Sequence, residues 1–424
     1  MACAVTMQAD MARFASLRVG GGADGPTVAL DVKVAVSRGT VRRFAVGDET
    51  VQLLDVIAGD PVAELEALNN ASRKGQIVLS AAVAAAVDGG YRLRPLEDAA
   101  APAGAMVVSL TDGSPAERRE RGPVEAHAGA GGAGSLGGRG HEPHRHEPAP
   151  PDLPERWFAA PEAAELAPAQ QLLGRWLLPT VKMRLSAGGG DFLTELRPVA
   201  ALFLAFDGLD LTGDEGAGTK LDRLVRLVQQ VVMEYGGNVL QLTTGDKGTY
   251  LYAAFGAPVS HEDDVSRCAA AALDLREAVL GLPFVAELKI GLGHGTARTG
   301  AYGSITRRTY GALGRGTNMA ARMMSAAPHA AIYVSGAFEK ALGGGFDLRR
   351  LEDVVVKGSA APVEAFELVG RASGTPRERT GADGRPLVGR EPELEAISAG
   401  IAEAAAGRGA VIQVVAEAGM GKSE

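Results

Sequence analysis

The stretch from Thr111 to Glu155 cannot bury a core, and that divides everything around it. TDGSPAERRERGPVEAHAGAGGAGSLGGRGHEPHRHEPAPPDLP is Gly, Pro, Ala and charge with almost no large apolar side chain. Such a composition cannot repay the entropy of ordering, so residues 111–155 are expected to be a disordered linker. His141, His144 and His146 sit in it and read as a His-rich tract of that linker rather than a metal site. The 424 residues are therefore expected to form units on either side of it that pack against each other despite the linker.

Ahead of the linker, residues 1–110 run as a helix, then VALDVKVAVSRG (28–39), Val41–Ala45 and VQLLDVIAG as strands. Helix Pro61–Ser72, strand GQIVLS (75–80) and a short helix at 81–87 follow. The same order returns later: DVKVAVSRG parallels ELKIGLGHG (287–295), VIAGDPVAELEAL parallels ALGRGTNMAARMM, and GQIVLS parallels AAIYVS (330–335). An internal repeat is thus expected, with 1–110 holding only the second half of the later unit.

Residues 156–195 are expected to be a bent helical connector, interrupted at Pro179, whose apolar residues pack on the second unit. From 196 to 370 a full set of elements appears: strand ALFLAF (201–206), helix 217–235, hairpin 238–256, helix 261–279, then further strands and a helix. This order predicts an α/β fold, an α+β sandwich of ferredoxin-like topology. Residues 371–385 read as a short linker. Strand AVIQVV (410–415) then runs into AEAGMGKS, a Walker A pattern with Ala416, Gly419, Gly421, Lys422 and Ser423 as its phosphate- and magnesium-binding residues.

Composition limits the function. A net charge of −8 gives no electrostatic case for nucleic-acid binding. Two cysteines, Cys3 and Cys268, exclude a disulfide framework. No apolar run reaches the ~18 residues that span a bilayer, and the N-terminus lacks a signal-peptide pattern. A cytoplasmic protein without a membrane span is expected.

The chemistry concentrates in Arg307–Met324, RRTYGALGRGTNMAARMM. It reads as a strand ending near Tyr310 and Leu313, a turn at Gly314 and Gly316, and a helix capped by Thr317. Asn318 and Arg322 are four residues apart and share one helix face. An amide beside a fixed guanidinium suits a phosphorylated ribose.

These residues resemble the class III adenylate/guanylate cyclase signature Arg-Arg-x-Tyr-x-x-x-Gly-x-x-x-Asn-x-Ala-Ala-Arg. Eight fixed positions are met, at Arg307, Arg308, Tyr310, Gly314, Asn318, Ala320, Ala321 and Arg322. The resemblance implies that Asn318 orients the ribose, that Arg322 stabilises charge on the transferred phosphoryl group, and that Lys357 binds the outer phosphates. It implies a purine nucleoside triphosphate as substrate, ATP with GTP left open, magnesium or manganese as metal, and pairing of two cyclase domains, within or between chains. The purine-reading places fall on Gln241 and Gly311. The first metal aspartate falls on Ala205, which leaves Asp207 and Asp246 as candidates. In the earlier copy the Asn and Arg places hold Ala63 and Ala67. Residues 386–424 resemble the opening of a STAND/AAA ATPase. Two unlike cyclase units before a P-loop ATPase resemble the soluble adenylyl cyclase type, here expected to be truncated at both ends. A purine nucleotide cyclase lacking its metal half is one expectation; a degenerate nucleotide sensor for the downstream ATPase is the other.

Overall fold

A computed structural model describes residues 1–18, 27–87, 91–98, 101–109, 124–125, 172–186, 194–245, 248–303, 308–352, 354, 362–372, 389, 391–409 and 411–413. Its larger unit starts with β7 (Glu195–Asp207), whose buried run is continuous from Val199 to Leu204.

After β7 come α5 (Ala217–Glu234), β8 (Asn238–Gly245), β9 (Gly248–Phe255), α6 (Asp264–Leu280) and β10 (Glu287–Gly303). The strands lie in the order β8-β9-β7-β10, each antiparallel to its neighbour. That is the βαββαβ arrangement anticipated from the order of elements. α5 buries Leu221, Leu224, Val225, Val228, Val231 and Val232, the apolar stripe of a helix lying on a sheet. The far end of β10 folds back as β11 (Arg308–Gly314), which leads directly into α7 (Arg315–Ala326). β12 (Ile332–Ser335), α8 (Gly336–Ala341), β13 (Phe346–Arg350) and β14 (Ala365–Arg371) extend the sheet as β10-β12-β14-β13.

The N-terminal unit contains α1 (Ala2–Met11), β1 (Val34–Val36), β2 (Arg42–Val46), β3 (Leu54–Ala58), α2 (Asp60–Ala71), β4 (Ile77–Leu79), α3 (Ala81–Ala86), β5 (Arg92–Pro95) and β6 (Met106–Ser109). Its sheet order is β1-β4-β6-β5. Each pairing has the sense of its counterpart: β1–β4 parallel like β10–β12, β4–β6 antiparallel like β12–β14, and β5–β6 antiparallel like β13–β14. Registers agree too, with Val34 opposite Ile77 as Ile290 is opposite Ile332. Gly75 and Ala330, both at positive φ, donate to the carbonyls of Val32 and Leu288. Ser80 caps α3 and Ser335 caps α8, each accepting from the N–H three residues on.

The two units share one core. Phe44, Val46, Leu54, Val56 and Ala58 of the β2–β3 hairpin pack with the apolar stripe of α5. Polar groups complete the seam. Gly47 N donates to Asp222 Oδ1 at 2.8 Å. Buried Gln229 accepts from Asp48 N at 2.8 Å and donates to Gln52 O at 2.7 Å. One Arg42 nitrogen donates to the carbonyls of Leu211, Thr212 and Asp214 at 3.2, 3.2 and 2.7 Å. No periodicity or motif marks these polar residues as an internal seam.

Several expectations change. The strand expected over 28–39 is regular only at Val34–Val36, apart from Thr27–Val28, because among the described residues no further ladder partner lies alongside. Val124 and Glu125, inside the expected linker, pair in parallel with Leu17 and Arg18, so two linker residues are ordered by a strand edge. In the connector, Pro179 opens helix α4 (Pro179–Ser186) instead of interrupting one, since a first turn needs no proline N–H. Leu178 and Val181 are buried, while Leu172, Leu173 and Met183 are exposed. The connector is bonded to the hairpin, with Leu53 N donating to Arg175 O and Gln52 Nε2 to Trp176 O. Near the C-terminus, α9 (Glu391–Ala405) forms, but Val411–Gln413 are not in a strand, and Val411 is open to solvent. The Walker A residues Ala416, Gly419, Gly421, Lys422 and Ser423 lie outside the described residues.

Candidate functional site

α7 sits on β7 and β10 through a seat made of glycines. A Cβ at Gly291 would collide with Met324 N and Ala320 O, and one at Gly293 with Gly316 O. Gly316 in turn approaches the His294 carbonyl carbon, 2.6 Å from where its own Cβ would be. These residues are small because backbone meets backbone there. This corrects the expected turn: β11 runs to Gly314, α7 begins at Arg315, and Gly316 lies inside the helix. Thr317 is not the cap either. Gly314 holds the cap position without a side-chain bond, and Thr317 Oγ1 donates to Ala312 O at 3.3 Å.

Under the start of α7 lies Tyr252 of β9. It is 4% exposed, and its ring stacks on Phe203 with centroids 4.6 Å apart. Its hydroxyl donates to Ala312 O at 2.8 Å and lies 3.4 Å from Thr317 Oγ1. Burial pushes this phenol far above its ordinary value, so it stays a neutral donor. Tyr252 thereby fixes the β11–α7 junction. Sequence reading missed it, because a tyrosine in an apolar strand has no distinguishing pattern.

The outward side of α7 carries Asn318, exposed, and Arg322, half-buried, one turn apart. Gln241 of β8 lies opposite Tyr252 and follows a bulge between Val239 and Gln241; its amide donates to Thr243 Oγ1 at 2.8 Å. Gly311 lies opposite Gly300 and precedes the carbonyl that Tyr252 binds. One buried tyrosine therefore spans from the strand of Gln241 to the strand of Gly311. At Gly311 a Cβ would come 3.1 Å from the Tyr302 ring, so the missing side chain makes room for that ring.

The expected metal places look different from a carboxylate pair. Ala205 stands between Tyr250 and Lys289 across the sheet, and Lys289 pairs with Glu287 at 2.9 Å. Asp207 ends β7 and accepts from Gly208 N at 2.7 Å. Among the described residues no group of three His, Cys, Asp or Glu could hold a metal ion. Ala205 has no carboxylate to offer the paired metals that the resemblance implies. Asp246 and Lys357 lie outside the described residues, as does Arg307.

Residues 221–370 match the model described as the adenylate and guanylate cyclase catalytic domain. This part of the chain is homologous to adenylate and guanylate cyclase catalytic domains. The signature helix α7, the glycine seat and the ferredoxin-like strands from α5 onward all fall inside the match. Adenylate cyclase type 10 of Rattus norvegicus is similar to this chain, 24% identical over 180 residues, which is 42% of the chain and 11% of the relative. The same enzyme from Oryctolagus cuniculus is 27% identical over 134 residues, 31% of the chain and 8% of the relative. The chain thus spans about a tenth of the length of these relatives. Among solved structures, the adenylyl cyclase CyaB from P. aeruginosa is 20% identical with a TM-score of 0.38, covering 42% of this chain and 97% of that one. A bacterial light-regulated adenylyl cyclase is 14% identical with a TM-score of 0.41, covering 50% of this chain and 64% of that one. Among the described residues no helix is long and apolar enough to cross a membrane.

Proposed function

We propose that this chain supplies the transition-state half of a purine nucleotide cyclase, which converts ATP to cyclic AMP and pyrophosphate. The carrying observation is the Asn318/Arg322 pair, one turn apart on the outer side of α7 within a cyclase catalytic domain. In the reaction the ribose 3′-oxygen loses its proton and bonds to the α-phosphorus. The bond from that phosphorus to the bridging oxygen breaks, and pyrophosphate leaves with the electron pair. Asn318 holds the ribose so that the 3′-oxygen faces the phosphorus. Arg322 donates to the phosphoryl oxygens as their charge rises. Lys357 takes the outer phosphates. Gln241 and Gly311 line the purine side, where Gly311 offers only its backbone. The similarity to adenylate cyclase type 10 supports ATP over GTP.

In this reading the metal carboxylates come from a second cyclase unit. The N-terminal unit does not provide them. Its strand order, registers and serine cap support reading it as a partial second copy, and, counted from the first residue of each helix, the equivalents of Asn318 and Arg322 there are Ala63 and Ala67. Residues 386–424 we read as the start of a P-loop ATPase with its own ATP site. A second reading, a nucleotide-sensing module that regulates that ATPase, is favoured by Ala205 and Gly311, both without a polar side chain.

Arg322→Ala, in the presence of a metal-bearing partner unit, is expected to lower kcat by ~10²–10³ while changing KM much less, as for one transition-state charge contact. Cyclic AMP and cyclic GMP are measured with magnesium or manganese. A rise in KM at constant kcat would move Arg322 to ground-state binding and favour the sensor.

A further inference from the structure

Two glycines stand opposite each other where the outer part of β10 pairs with β11, and a tyrosine ring lies against them. Gly300 faces Gly311 across the ladder, between the pairs Arg298–Leu313 and Tyr302–Thr309. Side chains two apart on a strand share a face, so Arg298, Tyr302 and Leu313 stand on the face where the glycines carry nothing. Gly300 is at φ 128°, open to glycine and strained for any residue with a Cβ. The Tyr302 hydroxyl donates to the Arg298 carbonyl, so the ring lies back along β10 toward Arg298, past Gly300. At Gly311 a Cβ would meet Cδ2 and Cε2 of that ring at 3.1 and 3.3 Å. Arg298 holds the ring in turn. Its guanidinium carbon is 4.5 Å from the ring centroid, and its Nη2 donates to Thr194 Oγ1 at 3.0 Å. Tyr302 is half-buried while Arg298 and Leu313 are exposed, so the stack is reachable from solvent.

A hairpin of this kind forms without that arrangement. β2–β3 precedes α2 as the outer part of β10 with β11 precedes α7. Counted back from the first residue of each helix, Val56 holds the place of Gly311, and Phe44, opposite Val56, holds that of Gly300. Both are apolar side chains buried in the core shared with α5. They precede the helix that carries Ala63 and Ala67. The glycine pair and its aromatic cover precede the helix that carries Asn318 and Arg322. The cover goes with the candidate chemistry and not with the hairpin.

We propose that the Tyr302 ring, steadied by Arg298, is the wall against which the purine base of the substrate lies. This rests on the half-site reading, in which Gly311 lines the purine side, and it gives that side a contact that glycine cannot supply. An aromatic ring attracts any flat base by stacking, and its face has no donor or acceptor that separates adenine from guanine. The one polar atom of the Tyr302 side chain, its hydroxyl, is bonded to Arg298 O. Tyr302 therefore supplies affinity for either purine and leaves the choice between ATP and GTP to Gln241.

The full chain with a metal-bearing partner unit is titrated with ATP and with GTP by displacement of methylanthraniloyl-ATP, and kcat and KM for cyclisation are measured for both nucleotides. Tyr302→Ala is expected to weaken ATP and GTP alike by about tenfold or more, with KM rising and kcat changing much less, as for one lost base–ring contact. Tyr302→Phe keeps the ring and should bind both nucleotides as the unsubstituted pair does. Tyr302→Leu fills the same space without a π face and should behave like Tyr302→Ala, which separates stacking from mere filling of the space at Gly311. Unchanged affinity in Tyr302→Ala, a leucine variant equal to the phenylalanine one, a loss confined to one purine, or an unsubstituted pair that binds neither purine overturns the proposal. Should Tyr302→Ala unfold, the comparison of phenylalanine with leucine decides. Arg322→Ala keeps the two readings apart. A kcat loss there beside nucleotide binding insensitive to Tyr302 removes this proposal alone, and a kcat untouched by Arg322→Ala removes the half-site reading.

Discussion

Gln229 is 2% exposed and holds two backbone groups of another unit. Cutting it to alanine leaves Asp48 N–H and Gln52 C=O without their partner, at about 1–3 kcal/mol for each group that water cannot reach. Gln229→Ala should therefore lower the urea midpoint and speed amide exchange at residues 47–52 together; an unchanged midpoint would mean that the seam contributes nothing. His294, next to Gly293 in the chain and with its backbone against Gly316, makes a different contribution. Burial holds its pKa below the ordinary 6.5, so the folded state favours the neutral ring. Between that lowered value and 6.5 the unfolded chain binds the extra proton. Stability must fall as pH drops through this window and level off below it. His294→Gln should flatten that part of the stability–pH curve, as measured by denaturant unfolding from pH 7 to 5. An equally steep decline in the variant would assign the slope to other groups.

At the scale of elements, the seat under α7 is the most demanding feature. Gly291→Ala drives a methyl into Ala320 O and Met324 N, which are backbone and cannot rotate away. The helix must lift from β10, at a cost of ~1–3 kcal/mol or more. Thermal unfolding should register that loss, and nucleotide affinity should fall with it because Asn318 and Arg322 ride on the helix; a variant as stable as the parent would show that the seat has slack. Much of this layer was legible in the chain. The apolar stripe from Leu221 to Val232 and the repeated strand–helix–strand order foretell α5 and the matching sheets, since periodicity records which face is buried. That Asn318 and Arg322 stand one turn apart on a helix was legible too. Other features were not. Gly-Arg-Gly-Thr reads equally well as a turn with a threonine cap, and only the approach of β10 explains why it is a strand entering a helix. Gln229 and Tyr252 were missed because a polar residue in a helix, or a tyrosine in a strand, reveals its partner only when a distant segment is seen beside it.

The whole molecule is asymmetric. The apolar stripe of α5 is a side filled by the N-terminal hairpin, and among the described residues the side beside α7, where Leu196, Arg298 and Leu313 are exposed, is open. The filled side brings α2, with alanines at Ala63 and Ala67, and the open side presents Asn318 and Arg322. Chemistry on the proposed half-site therefore belongs to the open side and requires carboxylates from another unit. The decisive measurement is conversion of α-labelled ATP to cyclic AMP with manganese. It compares this chain alone with the chain supplied with a cyclase unit that keeps its metal aspartates but has alanine at its own Asn and Arg places. Little product is expected from either component alone, with turnover from the pair and its loss on Arg322→Ala in this chain. Robust turnover by the chain alone, or a pair that binds nucleotide and stays inactive, would contradict the half-site assignment.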